Sequence, residues 1–315
     1  MRVLYVNHGL GTQCGVHDFG KRQFSELATS SLFESFYEEC NSAEDYASAY
    51  SRHQPEIVFF NYMPVVMPWM SVAAVAHLPA KRIVVQHLFD PTTVVAIMNS
   101  YSGIFDYMIC NDPTLKVSDK RIFPVARTIQ KYEFLHTGPS HEEIKIGSFG
   151  FGLPHKNFHL IMREINKHFD NAVFNLHMTI GSFTGDYTES LIQSIRAEIT
   201  KPNIRLNHTY DYRSEYEIIE MLASNDINAL FYEIPPSNAG ISSSADYLIA
   251  SGKPMLLTDC ALFRHIDSSV PRYPETTFRA IIDSYDSYSQ NALTTRDKYA
   301  NQFVSDIENM FKDIA

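Results

Sequence analysis

Short apolar runs alternate with amphipathic stretches along the whole chain. R-V-L-Y-V (2–6), E-I-V-F-F-N-Y (56–62), the run at 82–86 and F-D-Y-M-I-C (105–110) are four to seven residues long and apolar on both sides. That pattern predicts strands covered on both faces. Residues 32–37 and 120–125 add two weaker strands; a helical pattern follows the 7–20 stretch through Phe24 and Leu27, and helical spacing fills 43–50 and 69–77. The second half restarts the pattern with strands at 144–149, 173–180, 204–207, 227–232 and 255–257. Helices are predicted from Phe158 through Ile161, Met162, Ile165 and Phe169, and over 187–199, 215–223 and 277–282. A final helix over about 295–314 presents Phe303, Ile307, Met310, Phe311 and Ile314 on one face. Strands alternating with helices predict parallel sheets with right-handed crossovers.

At 315 residues the chain is long for one core. The segment H-T-G-P-S-H-E-E is polar, aperiodic and broken by Gly and Pro. The expected organisation is an N-terminal Rossmann-like domain over 1–135, a linker over 136–143 and a second Rossmann-like domain over 144–294. A C-terminal helix over 295–315 is placed to pack back on the first domain. The fold class is α/β, with two parallel-sheet domains facing a cleft.

Composition narrows the function. Hydrophobic residues make 45% and charged residues 20%, an ordinary globular balance. The net charge of −10 excludes nucleic-acid binding by bulk positive charge, so an anionic ligand needs local N–H groups and a few cations. Cys14, Cys40, Cys110 and Cys260 form no C-x-x-C pair, and Cys110 and Cys260, at the ends of apolar runs, are expected as reduced thiols of a cytoplasmic protein. The N-terminal residues enter a strand rather than a leader pattern, and no apolar run is long enough for a transmembrane segment.

The candidate chemistry lies in loops after strands. Residues 238–263 read as a loop, a short helix, a turn and a buried strand. Ser242, Ser243 and Ser244 can each cap the helix by accepting a backbone N–H bond. A helix opened by Gly240 and three hydroxyls suits a phosphate, although an ordinary capped helix reads the same way. In the first loop, Gly9, Gly11 and Gly15 give a spacing one residue off the dinucleotide fingerprint. The run at 82–86 ends in His87 and Asp90, at the strand end where open sheets bind ligands; a structural histidine is the alternative. Lys156, at the mouth of a strand–loop–helix unit, is either a point cation for phosphate or a solvated loop lysine.

Three stretches, I-G-S-F-G-F-G-L-P-H-K-N (146–157), I-N-A-L-F-Y-E-I-P-P-S-N-A-G (227–240) and L-I-A-S-G-K-P-M-L-L-T-D (248–259), make the chain resemble the retaining family-four GT-B glycosyltransferases. G-L-G-T-Q-C-G-V-H-D-F looks like the acceptor-side glycine loop of that group. The resemblance implies a C-terminal domain holding a UDP or GDP sugar and an acceptor entering from the N-terminal domain. It places Lys156 with Gly11 and Gly150 at the diphosphate, and His87 near the donor sugar. Asn238, Gly240, Ile241, Ser242, Ser243, Ser244 and Asp246 fall on the donor side; Gly9, Gly15, His17, Asp18 and Asp90 fall on the acceptor side. The implied reaction is attack of an acceptor hydroxyl on the anomeric carbon from the face the nucleotide leaves. The chain has no D-x-D motif, which fits a metal-independent enzyme without a cofactor beyond its nucleotide-sugar substrate. The acceptor class (carbohydrate, lipid-linked or protein) and the oligomeric state are not implied.

The sequence also departs from that group. Two glutamates usual there correspond to Ala239 and Tyr247, and no arginine lies between Ser148 and Pro154. Asp246 and Glu233 are the acidic stand-ins, with Glu233 counted beside His87 and Lys156 as catalytic candidates. The competing readings are a non-catalytic nucleotide-sugar-binding protein and an NAD(P)-dependent oxidoreductase built on Gly9, Gly11, Gly15 and Glu38. Further from the pattern are a thiol enzyme using Cys14 and a two-domain solute-binding protein.

Overall fold

The computed structural model describes every residue except 10–13, 136–137, 140–141, 180–186, 234–239 and 315. The chain divides into two compact units, Met1–Gln130 with Asn238–Gly240 and Asn301–Ala315, and Lys131–Ser237 with Ile241–Ala300.

The first unit runs β1 (Arg2–Asn7), α1 (Gly15–Leu27), β2 (Glu34–Glu39), α2 (Ala43–His53), β3 (Ile57–Phe60), α3 (Val72–Val75), β4 (Lys81–Gln86), α4 (Val94–Ser100), β5 (Tyr107–Cys110) and β6 (Ile122–Pro124). The six strands are all parallel, in the order β2-β1-β3-β4-β5-β6. The second unit runs β7 (Ile144–Phe151), α5 (Phe158–His168), β8 (Asn171–Thr179), α6 (Thr188–Ala197), β9 (Asn203–Thr209), α7 (Glu215–Ala223), β10 (Ile227–Leu230), α8 (Ser244–Ala250), β11 (Met255–Thr258), β12 (Arg272–Tyr273), α9 (Phe278–Asp283) and α10 (Tyr285–Ala300). Its parallel sheet has the order β12-β11-β10-β7-β8-β9. The chain then returns to the first unit as α11 (Gln302–Ile314).

The uninterrupted apolar runs have the reason expected of a parallel sheet. In the first unit Leu4, Val6, Val58, Phe60 and Val84 face one core, while Val3, Tyr5, Ile57, Phe59 and Ile83 face another. Successive side chains leave a strand on opposite faces, so a strand covered twice must be apolar at every position. The second face is closed by α1 and by Phe303, Ile307, Met310, Phe311 and Ile314 of α11. The Phe311 ring lies 4.9 Å from Phe33 and 5.9 Å from Phe59.

Three elements differ from the sequence pattern. The helix expected over 69–77 is helical only at Val72–Val75, where Ser71 caps it and Pro79 follows closely. Val94–Ser100 is a helix that the pattern did not announce. The single terminal helix is two, α10 and α11, separated at Asn301. No described helix is long and apolar enough to cross a membrane.

The strand orders fix where a ligand can enter each unit. An open α/β sheet binds at the carboxyl ends of the strands where the winding direction reverses. In the first unit that point lies between β1 and β3, and in the second between β7 and β10. β7 pairs with β10 only through Ile146 and Gly147, yet continues along β8 to Phe151. The two strands therefore part before their carboxyl ends.

Candidate functional site

In the second unit, the loop after β7 and the residues after β10 build one polar cluster at the switch point. Pro154–Lys156 is a single tight turn, and Asn157 takes φ +50° to start α5. The turn buries Lys156 to 7% exposure. Its Nζ donates to Tyr232 Oη at 2.7 Å and lies 4.0 Å from the centroid of the same ring. No carboxylate among the described residues lies within ion-pair distance of that ammonium. Burial pushes Lys156 down to about 7. The side-chain Nδ2 of the adjacent Asn157, also buried, has no hydrogen-bond partner among the described residues. A buried ammonium without an acidic partner suits an incoming anion.

Gly150 makes the close approach possible. Its φ is +151°, and a Cβ there would stand 3.0 Å from Lys156 Nζ and 3.1 Å from Tyr232 Oη. The three predicted serines divide. Ser242 and Ser244 are buried beside Tyr232, whereas Ser243 is exposed. The capping expectation fails: Ser243 occupies the cap position of α8 with helical backbone angles and no capping side-chain bond. Tyr232 Oη itself donates to the Phe149 carbonyl at 3.4 Å. Tyr232 was not a sequence candidate. Its signal is a phenol placed at the carboxyl end of an otherwise apolar strand.

The remaining donor-side candidates are dispersed. Glu233 is exposed and its backbone N–H is held by the His155 carbonyl at 2.9 Å. Asp246 is buried at 1% exposure and is partnered inside the fold. Ile241 is half-buried. Gly240 has φ +97°, a conformation that favours glycine. Tyr247, at one of the two glutamate positions, lays its ring 4.9 Å from Phe149. Gly11, Asn238 and Ala239 lie outside the described residues.

The first unit carries its own polar cluster at its switch point. Asn7 ends β1, Asn61 follows β3 and His87 follows β4. Both asparagines are fully buried. Asn61 Nδ2 donates to Asn7 Oδ1 at 2.9 Å and to the Val16 carbonyl at 2.7 Å, and Asn61 Oδ1 meets His87 Nε2 at 2.7 Å. The His87 ring stands edge-on to Phe19 at 5.3 Å. Burial first, then the nearby Arg127 and His8, push His87 down to about 3, so the imidazole is neutral near pH 7.

Of the acceptor-side candidates, His17 meets Glu39 at 2.8 Å, and burial raises Asp18 from its ordinary value. Gly9 donates its N–H to Asn41 Oδ1 at 2.9 Å. Gly15 opens α1 with open space around its Cα. Asp90 accepts from the N–H and hydroxyl of Thr92 to make a turn. Among the described residues no group of three or more His, Cys, Asp or Glu could hold a metal ion.

No protein-family profile matches the sequence, and no curated protein matches it. Solved structures do match in fold. Anabaena Alr3699/HepE in complex with UDP and glucose superposes with a TM-score of 0.66 at 12% identity, over 100% of this chain and 99% of that one. A glycosyltransferase from Rickettsia africae gives 0.63 at 13% identity, over 99% and 98%. The lipopolysaccharide outer core galactosyltransferase WaaB gives 0.59 at 10% identity, over the whole of both chains. The chain has the two-sheet α/β architecture of these enzymes, the GT-B glycosyltransferase fold.

Proposed function

We propose that the protein is a glycosyltransferase that moves a sugar from a nucleotide-diphosphate sugar to an acceptor hydroxyl, with retention and without a metal ion. The observation that carries this reading is Lys156: a buried ammonium beside a phenol, with no carboxylate partner among the described residues, at the switch point of the second sheet. A diphosphate supplies the missing negative charge. As the acceptor oxygen bonds to the anomeric carbon, the bond from that carbon to the phosphate oxygen breaks. The acceptor proton goes to the departing phosphate. Charge grows on that phosphate, so a preplaced cation stabilises the transition state more than the ground state. Donor-side roles go to Gly11, Gly150, Asn238, Gly240, Ile241 and Ser242–Ser244, acceptor-side roles to Gly9, Gly15, His17, Asp18 and Asp90, and acidic roles to Glu233 and Asp246. HepE has also been solved with UDP-glucose, which makes UDP-glucose the first donor to test.

The test is UDP release from UDP-glucose and a panel of UDP and GDP sugars in the presence of a chelator. Release that Lys156→Ala abolishes supports the proposal; no release with any donor contradicts it. A second reading, nucleotide-sugar binding without transfer, rests on Tyr247, a glutamate position here filled by a ring packed on Phe149. Binding without turnover would select it.

A further inference from the structure

The Asn7–Asn61–His87 chain fixes more than a ring orientation. Both N–H bonds of the Asn61 amide are used, toward Asn7 Oδ1 and the Val16 carbonyl, neither of which Asn61 Oδ1 could face without losing both bonds. Asn7 is fixed in turn, because its Oδ1 also accepts the His8 N–H at 3.0 Å. Its Nδ2 donates to the His17 carbonyl at 3.0 Å and to Tyr37 Oη at 2.9 Å. The atom Asn61 turns to His87 is therefore its carbonyl oxygen, which can only accept. His87 must donate from Nε2, and Nδ1 carries the lone pair. Among the described residues nothing bonds Nδ1, and it is not a sealed atom. Space for the chain is kept by Gly20 on α1, where a Cβ would stand 2.3 Å from Asn61 Nδ2 and 2.7 Å from Asn7 Nδ2.

We infer that Asn61 is a positioning residue that holds His87 as the Nε2–H tautomer, so that Nδ1 accepts a hydrogen bond from a substrate hydroxyl. The inference rests on the sugar-transfer reading for the identity of the hydroxyl, but the tautomer stands independently of it. His87 then orients a sugar or acceptor O–H and does not itself carry a proton through the reaction. The groups facing the ring are Asn61, Phe19, Arg127 and His8.

The experiment is a long-range nitrogen–proton correlation spectrum of the histidine-labelled wild-type protein at neutral pH, with His87→Gln to assign the signal. The expected result is a neutral ring protonated at Nε2; an Nδ1–H ring overturns the inference whether or not transfer is found. Asn61→Leu, near the amide in shape, removes the acceptor from Nε2–H, and its spectrum should lose the exclusive Nε2–H form. Its turnover should fall at least about tenfold with the donor KM little changed. As the conservative rescue, His87→Asn, which keeps an oxygen near the Nδ1 position, should retain about tenfold more turnover than His87→Gln. Equal turnover of those two variants also overturns the role given to Nδ1. Failure of every nucleotide sugar would remove the transfer reading and leave the tautomer to be judged by the spectrum alone.

Discussion

Lys156 Nζ sits 2.7 Å from Tyr232 Oη and 4.0 Å from the centroid of the same ring, so one aromatic residue supplies both the hydrogen bond and the π-face that hold a buried cation. Neither contact neutralises the charge. Burial without a counter-ion costs stability that a bound anion would recover, which is how binding sites commonly trade stability for function.

The first prediction follows from that cost. Lys156 protonates at about 7 in the fold and near its ordinary value of 10.5 in the unfolded chain. Between those values the unfolded state binds more protons, so wild-type stability rises with pH through that window. Lys156→Met removes the titration. Without ligand it should be more stable than wild type by about 2–4 kcal/mol at pH 7 and below, with the gap closing toward pH 10. Denaturant melts of both proteins across pH 6–10, on the ordinary scale of such shifts, check this.

Tyr232→Phe keeps the ring and removes the oxygen that accepts from Lys156 Nζ. It should cost about 1–3 kcal/mol, because the buried Lys156 ammonium loses its acceptor. Nucleotide affinity should fall with it, and replacing Ser243, which is exposed, should change stability by less than about 0.5 kcal/mol. Chemical denaturation of the three serine variants and Tyr232→Phe separates these outcomes.

Gly150→Ala sets a Cβ against Lys156 Nζ and Tyr232 Oη in a backbone conformation that favours glycine. The expected loss is about 1–3 kcal/mol. Gly152→Ala, where a Cβ would meet only ordinary contacts and φ is not positive, is the control and should melt as wild type does.

Phe311→Ala tests the return of the chain to the first sheet. The ring is 5% exposed and packs on Phe33 and Phe59. Removing it should cost about 3–5 kcal/mol, read as a lower denaturation midpoint.

The strand–helix grammar was legible because each core strand is covered twice and so reads as a bare apolar run, as at 2–6 and 82–86. The placement of Lys156 and His87 after such runs was legible for the same reason. Tyr232, Asn7 and Asn61 were not, because their roles come from partners 76, 54 and 26 residues away. Serine spacing announced a cap at α8, yet Ser243 at the cap position makes no capping bond and the hydroxyl residues on either side of it are buried. The split between α10 and α11 also escaped, since Phe303 through Ile314 form a continuous stripe that says nothing of where the preceding helix ends.

The most direct test is a calorimetric titration of wild type and Lys156→Met with UDP at pH 8, in two buffers of different ionisation enthalpy. An anion seated on Lys156 raises its affinity for a proton, so wild type should bind UDP with net proton uptake. Lys156→Met should bind at least about tenfold more weakly and take up none. Equal affinity of the two proteins, or binding without proton uptake, would contradict a diphosphate site at Lys156.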